Sequence, residues 1–350
     1  MDTAEKSDIR KLSREALRTF FTENGEQAFR GNQVYEWLWQ KGAHSFEAMT
    51  NLSLAHRELL TTHFTINHIA VDQMQRSSDG TIKNAVRLHD GLIVESVLIP
   101  TESRTTACVS SQVGCSLDCR FCATARLKRM RNLNPDEIFD QVVVIDRQSR
   151  LYFGRPLSNI VFMGMGEPLM NYPNVVKAIR MISSEEGLGM SPKRITVSTS
   201  GVPKMIRKLA DEELRCNLAV SLHSAVEETR TAIMPFNAKM PLQDLKESIA
   251  YWYDKTRSRI TYEYVVWEGI NDTPADIRAF LDFCKAAPCK VNLIEYNPID
   301  DGEFRQAAEQ AVQAYVRALE SAGITVTVRR SRGKDIDAAC GQLANKEANT

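Results

Sequence analysis

The stretch NIVFMGMGEP, residues 159–168, joins a short apolar, β-prone run to a glycine turn ending in a carboxylate and a proline. The same arrangement of a strand candidate followed by a polar or glycine-bearing tip recurs along the chain. TSG follows RITVS, HS follows NLAVSL, and NP follows KVNLIEY. After Pro100 the strand candidates are TTACVSS, NIVFM, RITVSTS, NLAVSL, TYEYVVW, KVNLIEY and ITVTVRR, with helical stretches between most of them. One helix is predicted to open at NPDEIFDQVVVIDRQ, with Asn134 as cap, Pro135 in the first turn and two acids beside the helix dipole. Another is MPLQDLKESIAYWYDK. Successive βα units imply a parallel sheet. Polar groups at the ends of several strands belong to a barrel rim, whereas a doubly wound sheet gathers its site at one switch point. Six βα units cannot close an eightfold ring. The expected fold is therefore α/β, an incomplete TIM-like (β/α)6 barrel with a wide mouth over residues 101–345.

Upstream the pattern changes. Residues 1–65 contain three amphipathic stretches and are expected to form a small helical domain. SREALRTFFTENG opens on Ser13 as a cap, GNQVYEWLWQKG places Val34, Trp37 and Leu38 on one face, and NLSLAHRELLTTHF is the third. Residues 66–100 carry two runs around Asp90-Gly91, the signal of a β-hairpin extension. In the second run Glu95 shares a face with Ile93, Val97 and Ile99. Two readings stay open: a solvent-facing strand surface, or a carboxylate raised by burial so that it serves as a base.

The 350 residues are 43% hydrophobic and 25% charged with zero net charge, ordinary for a globular chain that buries a full core. Any nucleic-acid role must then rest on local clusters. The charged N-terminus has no secretory apolar core, and no apolar run approaches the ~18 residues of a membrane span. A cytoplasmic location without membrane contact is expected, where thiols stay reduced. The eight cysteines are then ligands, catalysts or small core residues before they are disulfides.

Three of them, Cys115, Cys119 and Cys122, fall in QVGCSLDCRFCATA with spacing C-x3-C-x2-C. Zinc normally takes four protein ligands in two pairs, and no second pair follows. A cytosolic disulfide is disfavoured, and core packing does not call for three thiols in a polar loop. A four-iron cluster normally takes four thiolates. With three, one iron stays open to a small molecule.

That motif, with Phe121 before its last cysteine, resembles the radical S-adenosylmethionine superfamily. The resemblance implies one [4Fe-4S] cluster on these cysteines, whose open iron chelates S-adenosylmethionine and whose electron cleaves it to a 5'-deoxyadenosyl radical. GMGEP resembles the superfamily's glycine-rich strand-end motif, with Gly166 and Glu167 on the methionine ammonium. The longer match is narrower. ACVSSQVGCSLDCRFCATA, VFMGMGEPLMNY, ITVSTSGVP, LAVSLHSA and VTVRRSRGKDIDAACGQL, with YEWLWQKG and MTNLS near the start, resemble the RlmN-type RNA adenine-C2 methyltransferases over nearly the whole chain. The resemblance implies two S-adenosylmethionine molecules per methylation. One methylates Cys340, and the second supplies the radical that turns this methyl into a methylene radical adding to C2. Glu95 then accepts the C2 proton, and Cys108 attacks Cys340 to leave a transient disulfide. Ser198, Ser221, Leu222, His223 and Asn297 match cofactor contacts, while Cys216, Cys284 and Cys289 match no family role.

The implied substrate is an adenosine of 23S rRNA at the peptidyl-transferase centre, with tRNA left open as a second. A flavodoxin- or ferredoxin-type electron donor and a monomeric chain complete the expectation. Two rivals remain: Cfr-type C8 methylation of the same adenosine, and a non-catalytic iron–sulfur RNA-binding protein. Arg120 within the cysteine motif and Arg126, Lys128, Arg129 and Arg131 just past it form one cluster, and Arg329, Arg330, Arg332 and Lys334 precede Cys340. These runs read as phosphate contacts. C2 is out of reach in a stacked helix, so the target must be unpaired or flipped.

Overall fold

The computed structural model describes residues 6–299 and 302–345. Three helices come first, α1 (Arg14–Glu23), α2 (Phe29–Trp39) and α3 (Leu54–His63). The Ser13 side chain caps α1 by accepting from the Ala16 amide at 3.1 Å. Gly31 lets α2 cross α1 closely, since a Cβ there would sit 2.6 Å from the Leu17 carbonyl carbon. On α2 the buried tryptophan is Trp39, not Trp37. Trp37 is only partly buried, with the Lys41 ammonium 3.9 Å from its ring centre.

Ten strands then make one sheet whose spatial order is the order of the chain. They are β1 (Ala70–Arg76), β2 (Ile82–Arg87), β3 (Ile93–Pro100), β4 (Thr105–Cys108), β5 (Asn159–Phe162), β6 (Ile195–Thr199), β7 (Asn217–Ser221), β8 (Ile260–Val265), β9 (Cys289–Ile294) and β10 (Thr325–Arg329). From β4 to β10 every pairing is parallel. The helices α4 (Pro135–Phe153), α5 (Tyr172–Ser183), α6 (Pro203–Asp211), α7 (Leu242–Thr256), α8 (Pro274–Cys284) and α9 (Glu309–Ser321) fill the six crossovers. This is the incomplete (β/α)6 barrel expected, left open because β1 and β10 are the two ends of the sheet. The predicted hairpin, β2 with β3, pairs Arg87 with Ile93 around the Asp90-Gly91 turn. The hairpin does not stand alone. It gains β1 on one side and joins β4 on the other, so the barrel sheet continues through it.

Alternation along the strands separates core from cavity. On β8, Ile260, Tyr262 and Tyr264 face the helices, and Tyr264 stacks on Phe280 at 4.3 Å. Each such buried aliphatic or aromatic side chain contributes ~1.5–3 kcal/mol. Thr261, Glu263 and Val265 point the other way, into the barrel. Helix α4 begins as the sequence predicts, in a capping box between Asn134 and Glu137. It also anchors the N-terminal helices. Buried Arg10 bonds Asp140 at 2.7 Å and Asp136 at 3.3 Å, and Trp39 meets Phe139 edge-on at 5.3 Å. Losing Arg10 would strand two carboxylates at a cost of ~3–5 kcal/mol.

Candidate active site

The strand tips converge on one chamber at the barrel mouth. Cys115, Cys119 and Cys122 form part of its wall, facing Gly166 and Glu167 from the tip of β5. Ser198, Ser221 and His223 contribute from β6 and β7, and Asn297 and Cys340 close it from the C-terminal side. Leu222, also expected as a cofactor contact, is not among the chamber-lining residues: it is fully buried, its carbonyl bonded by Arg230. That guanidinium is itself buried and ties the strand tips together through the carbonyls of Ser200 and Ser221.

Local chemistry explains the wall. Gly114 has φ +75° and runs so close to Lys128 that a Cβ would lie 2.5 Å from its carbonyl oxygen. Gly166, at φ +92°, passes Gln112 at the same 2.5 Å. Both positions need glycine. Glu167 is buried and accepts from the Leu169 amide at 3.0 Å and the Ser200 amide at 2.8 Å. Burial raises it while those bonds oppose the rise. His223, at φ 58°, accepts through Nδ1 from the Val265 amide at 3.2 Å. Burial, and then the nearby Arg230 charge, push its pKa down to about 3, so it is neutral.

Burial, and then the neighbouring thiols, raise two of the wall residues: Cys115 is pushed up to about 12, and Cys119 is raised well above its ordinary value. Cations would reverse this. Among the described residues no three His, Cys, Asp or Glu side chains group tightly enough for a single ion. A four-iron cube is a wider template, taking one thiolate per iron. The donor set fits it. Cofactor fit has its own marks. Trp267 Nε1, Tyr296 Oη and Asn297 Oδ1 belong to chamber-lining residues and are buried without a hydrogen-bond partner. Such orphans are costly unless a polar ligand meets them.

Glu95 and Cys108 lie outside the chamber wall but beside one another. Cys108 pairs with Val97, two residues along β3 from Glu95 on the same face. The carboxylate is not a lone charge among aliphatic neighbours, as the sequence suggested. Lys83 on β2 stands 3.5 Å away, and the amides of Ala344 and Asn345 donate at 2.8 and 3.2 Å. Burial drives the Cys108 thiol far up, with Cys340 the next contributor. Cys340 is exposed, yet burial raises its thiol too, because its opening is into the chamber rather than to bulk water. The loop bearing it is tied down. Asn297 bonds the Cys340 carbonyl at 3.2 Å, the Ala123 amide bonds Gly341 at 2.8 Å, and Thr124 bonds Leu343 at 2.6 Å.

The basic runs divide. Arg131 is consumed by Glu137 and Asp90, Arg120 by Glu303, Lys334 by Glu295, and Arg330 pairs with Glu309. Arg126 donates to the Ile299 carbonyl. Lys128, Arg129, Arg329 and Arg332 are exposed on the surface beside the mouth. Sequence reasoning missed Lys83 and Glu263. The signal for Glu263 was its register, which aligns it with Ser221 on one side and Asn292 on the other.

Comparison with known proteins agrees with this architecture. Residues 7–66 match the family model "Ribosomal RNA large subunit methyltransferase N-terminal domain", and residues 109–284 match "Radical SAM superfamily". A probable dual-specificity RNA methyltransferase RlmN of Flavobacterium johnsoniae is 71% identical over 98% of this chain and 99% of its own length. The dual-specificity RNA methyltransferase RlmN of Syntrophus aciditrophicus is 42% identical over 97% of each chain. A crystal structure of a radical SAM methyltransferase from Sphaerobacter thermophilus superposes with a TM-score of 0.90 at 37% identity, covering 96% of this chain and 99% of that one.

Proposed function

The chain belongs to the RlmN family of radical S-adenosylmethionine RNA methyltransferases, and from that membership we propose that it methylates C2 of one adenosine in 23S rRNA, at the peptidyl-transferase centre, and of an adenosine in tRNA. The relatives named for dual specificity support two RNA classes. We divide the chain into an RNA-binding accessory domain (1–65), an extension (66–100) and a methyltransferase core (101–345). The observation carrying the reading is the meeting of Cys108, Glu95 and the Cys340 loop beside a three-thiol chamber.

When bound, the cluster on Cys115, Cys119 and Cys122 and two successive S-adenosylmethionine molecules supply a methyl group and a carbon radical. The residues do the rest. Glu167 and Asn297 orient the cofactor's amino-acid end, and Ser198, Ser221 and His223 line its nucleoside side. Cys340 carries the methyl group to C2, leaving base and protein joined through sulfur and CH2. Glu95, held by Lys83 and two amides, accepts the C2 proton. Cys108 then attacks the Cys340 sulfur, the sulfur–carbon pair and the Cys108 proton pass to the departing CH2, the one unpaired electron left by the radical addition goes back to the electron-carrier protein, and a disulfide remains. Lys128, Arg129, Arg329 and Arg332 hold phosphates, a flavodoxin- or ferredoxin-type protein supplies electrons, and the chain works as a cytoplasmic monomer.

Mass spectrometry of digested RNA from cells with and without the gene tests the product, since 2-methyl- and 8-methyladenosine separate chromatographically. A sharper test is Cys108→Ala. It should accumulate a protein–RNA adduct that survives denaturation and reductant, because a thioether is not reducible, and adding Cys340→Ala should abolish it. Normal turnover without adduct would remove Cys108 from the mechanism.

A further inference from the structure

A thiol accepts a methyl cation equivalent only as its thiolate, and an ordinary thiol keeps its proton at neutral pH. Its proton must go to some group nearby. Among the described residues the chamber is lined by three carboxylates, Glu167, Glu263 and Glu295. Glu167 spends both oxygens on backbone amides. Glu295 spends one on Lys334 at 2.7 Å and the other on the Ser331 amide at 3.0 Å. Glu263 differs. Asn292 donates to its Oε1 at 2.7 Å, which fixes the plane of the carboxylate, while Oε2 is buried with no partner at all. The side chain is 3% exposed and stands on the inner face of β8, between Ser221 of β7 and Asn292 of β9.

We propose that Glu263 is the general base that removes the Cys340 thiol proton when that sulfur takes up a methyl group. The assignment rests on the reading of Cys340 as the methyl carrier. The S–H proton passes to Oε2. The sulfur lone pair forms the new carbon–sulfur bond as the sulfonium carbon–sulfur bond breaks, and that electron pair leaves with S-adenosylhomocysteine. The orphaned oxygen thereby gains the donor it lacks. The charged and titratable groups facing this pair are Arg329 from β10, Lys290 from β9, Cys108 from β4 and Cys122 from the cysteine loop. None of the cations is a proton acceptor at neutral pH, and the two thiols are assigned elsewhere.

The test uses cluster-loaded protein and Glu263→Gln, whose amide oxygen still accepts from Asn292, with Glu263→Asp as the conservative partner. Methyl incorporation into the Cys340 peptide is followed by mass spectrometry after mixing with S-adenosylmethionine without RNA. Equilibrium dialysis gives cofactor affinity, and iodoacetamide labelling of Cys340 against pH reports the thiol without cofactor. Methylation should fall ~10²–10⁴-fold in the Gln variant, recover as pH rises, and return in part in the Asp variant, with cofactor affinity unchanged. Labelling at neutral pH should quicken, because the charge that opposes the resting thiolate is gone. Methylation at the wild-type rate overturns the assignment. So does unchanged labelling in Glu263→Gln, which would place the carboxylate out of reach of the thiol, or a loss confined to cofactor affinity, which would make it a ligand contact. Should wild-type Cys340 take up no methyl, the carrier reading fails, and the labelling arm still decides whether Glu263 governs the thiol.

Discussion

Two cysteine-bearing loops meet at the chamber, hydrogen-bonded to one another, and they are held by different means. The loop of Cys115, Cys119 and Cys122 is held by close backbone packing: Gly114 and Gly166 pass neighbouring residues where no side chain fits. The loop of Cys340 is held by single hydrogen bonds to residues far away in sequence, at Asn297, Ala123, Thr124 and Glu95. The first is a fixed wall. The second is a strap, each tie worth ~0.5–1.5 kcal/mol, and it covers the Glu95 carboxylate. On the proposed reading the wall thiols must not move, whereas Cys340 must travel between cofactor and base.

The largest effect belongs to the wall. Cys119→Ala should drop bound iron from about four per chain to background and end methylation, as counted by iron assay and product analysis. Activity retained without iron would mean the wall holds no cluster. Next comes the meeting point of strap and sheet. Glu95→Gln keeps an acceptor for the Ala344 and Asn345 amides but loses the base, so adduct should form and resolve ~10²–10⁴-fold more slowly. Rapid-quench gels would show it, and unchanged resolution would reduce Glu95 to an anchor.

A pH effect on the wall should be smaller. His223 is held at about 3 by burial, below the ordinary 6.5 that the unfolded chain recovers. The folded state therefore binds fewer protons as pH falls below 6.5. Its stability contribution is whole above that value and declines by up to about 1.4 kcal/mol per pH unit toward 3. Urea midpoints across this window should flatten in His223→Asn, since asparagine tolerates the positive φ. The smallest effect is on the strap. Thr124→Val removes the bond to the Leu343 carbonyl, at ~1 kcal/mol. Amide exchange of residues 341–345 should quicken ~5-fold while iron content stays the same. Equal protection would show that the strap is held elsewhere.

The same division governs what could be read from sequence. The three-cysteine spacing and the strand tips are local patterns, so the wall and the barrel were legible. Strand β1, AVDQMQR, was not, because it is an exposed end of the sheet with no apolar alternation to betray it. Lys83 beside Glu95 and Glu263 in the chamber depend on strand register, which a single strand does not disclose. The basic runs misled in part for a related reason: Arg131 and Lys334 meet carboxylates that no local rule brings near them. Glu95 and Cys340 are 245 positions apart in sequence and were linked only through resemblance to a family.

The strand order carries a consequence for biogenesis. Because each strand of the sheet lies beside the one made just before it, synthesis at ~5–20 residues per second lays the sheet down edge by edge, with no strand waiting for a distant partner. The three wall cysteines leave the ribosome long before Cys340, so a nascent chain has the three-cysteine loop and the early strands in hand while Cys340 is still unmade. Cys340 lies past β10 in the chain, so its loop closes across β3 and the cysteine loop only on a sheet already laid down.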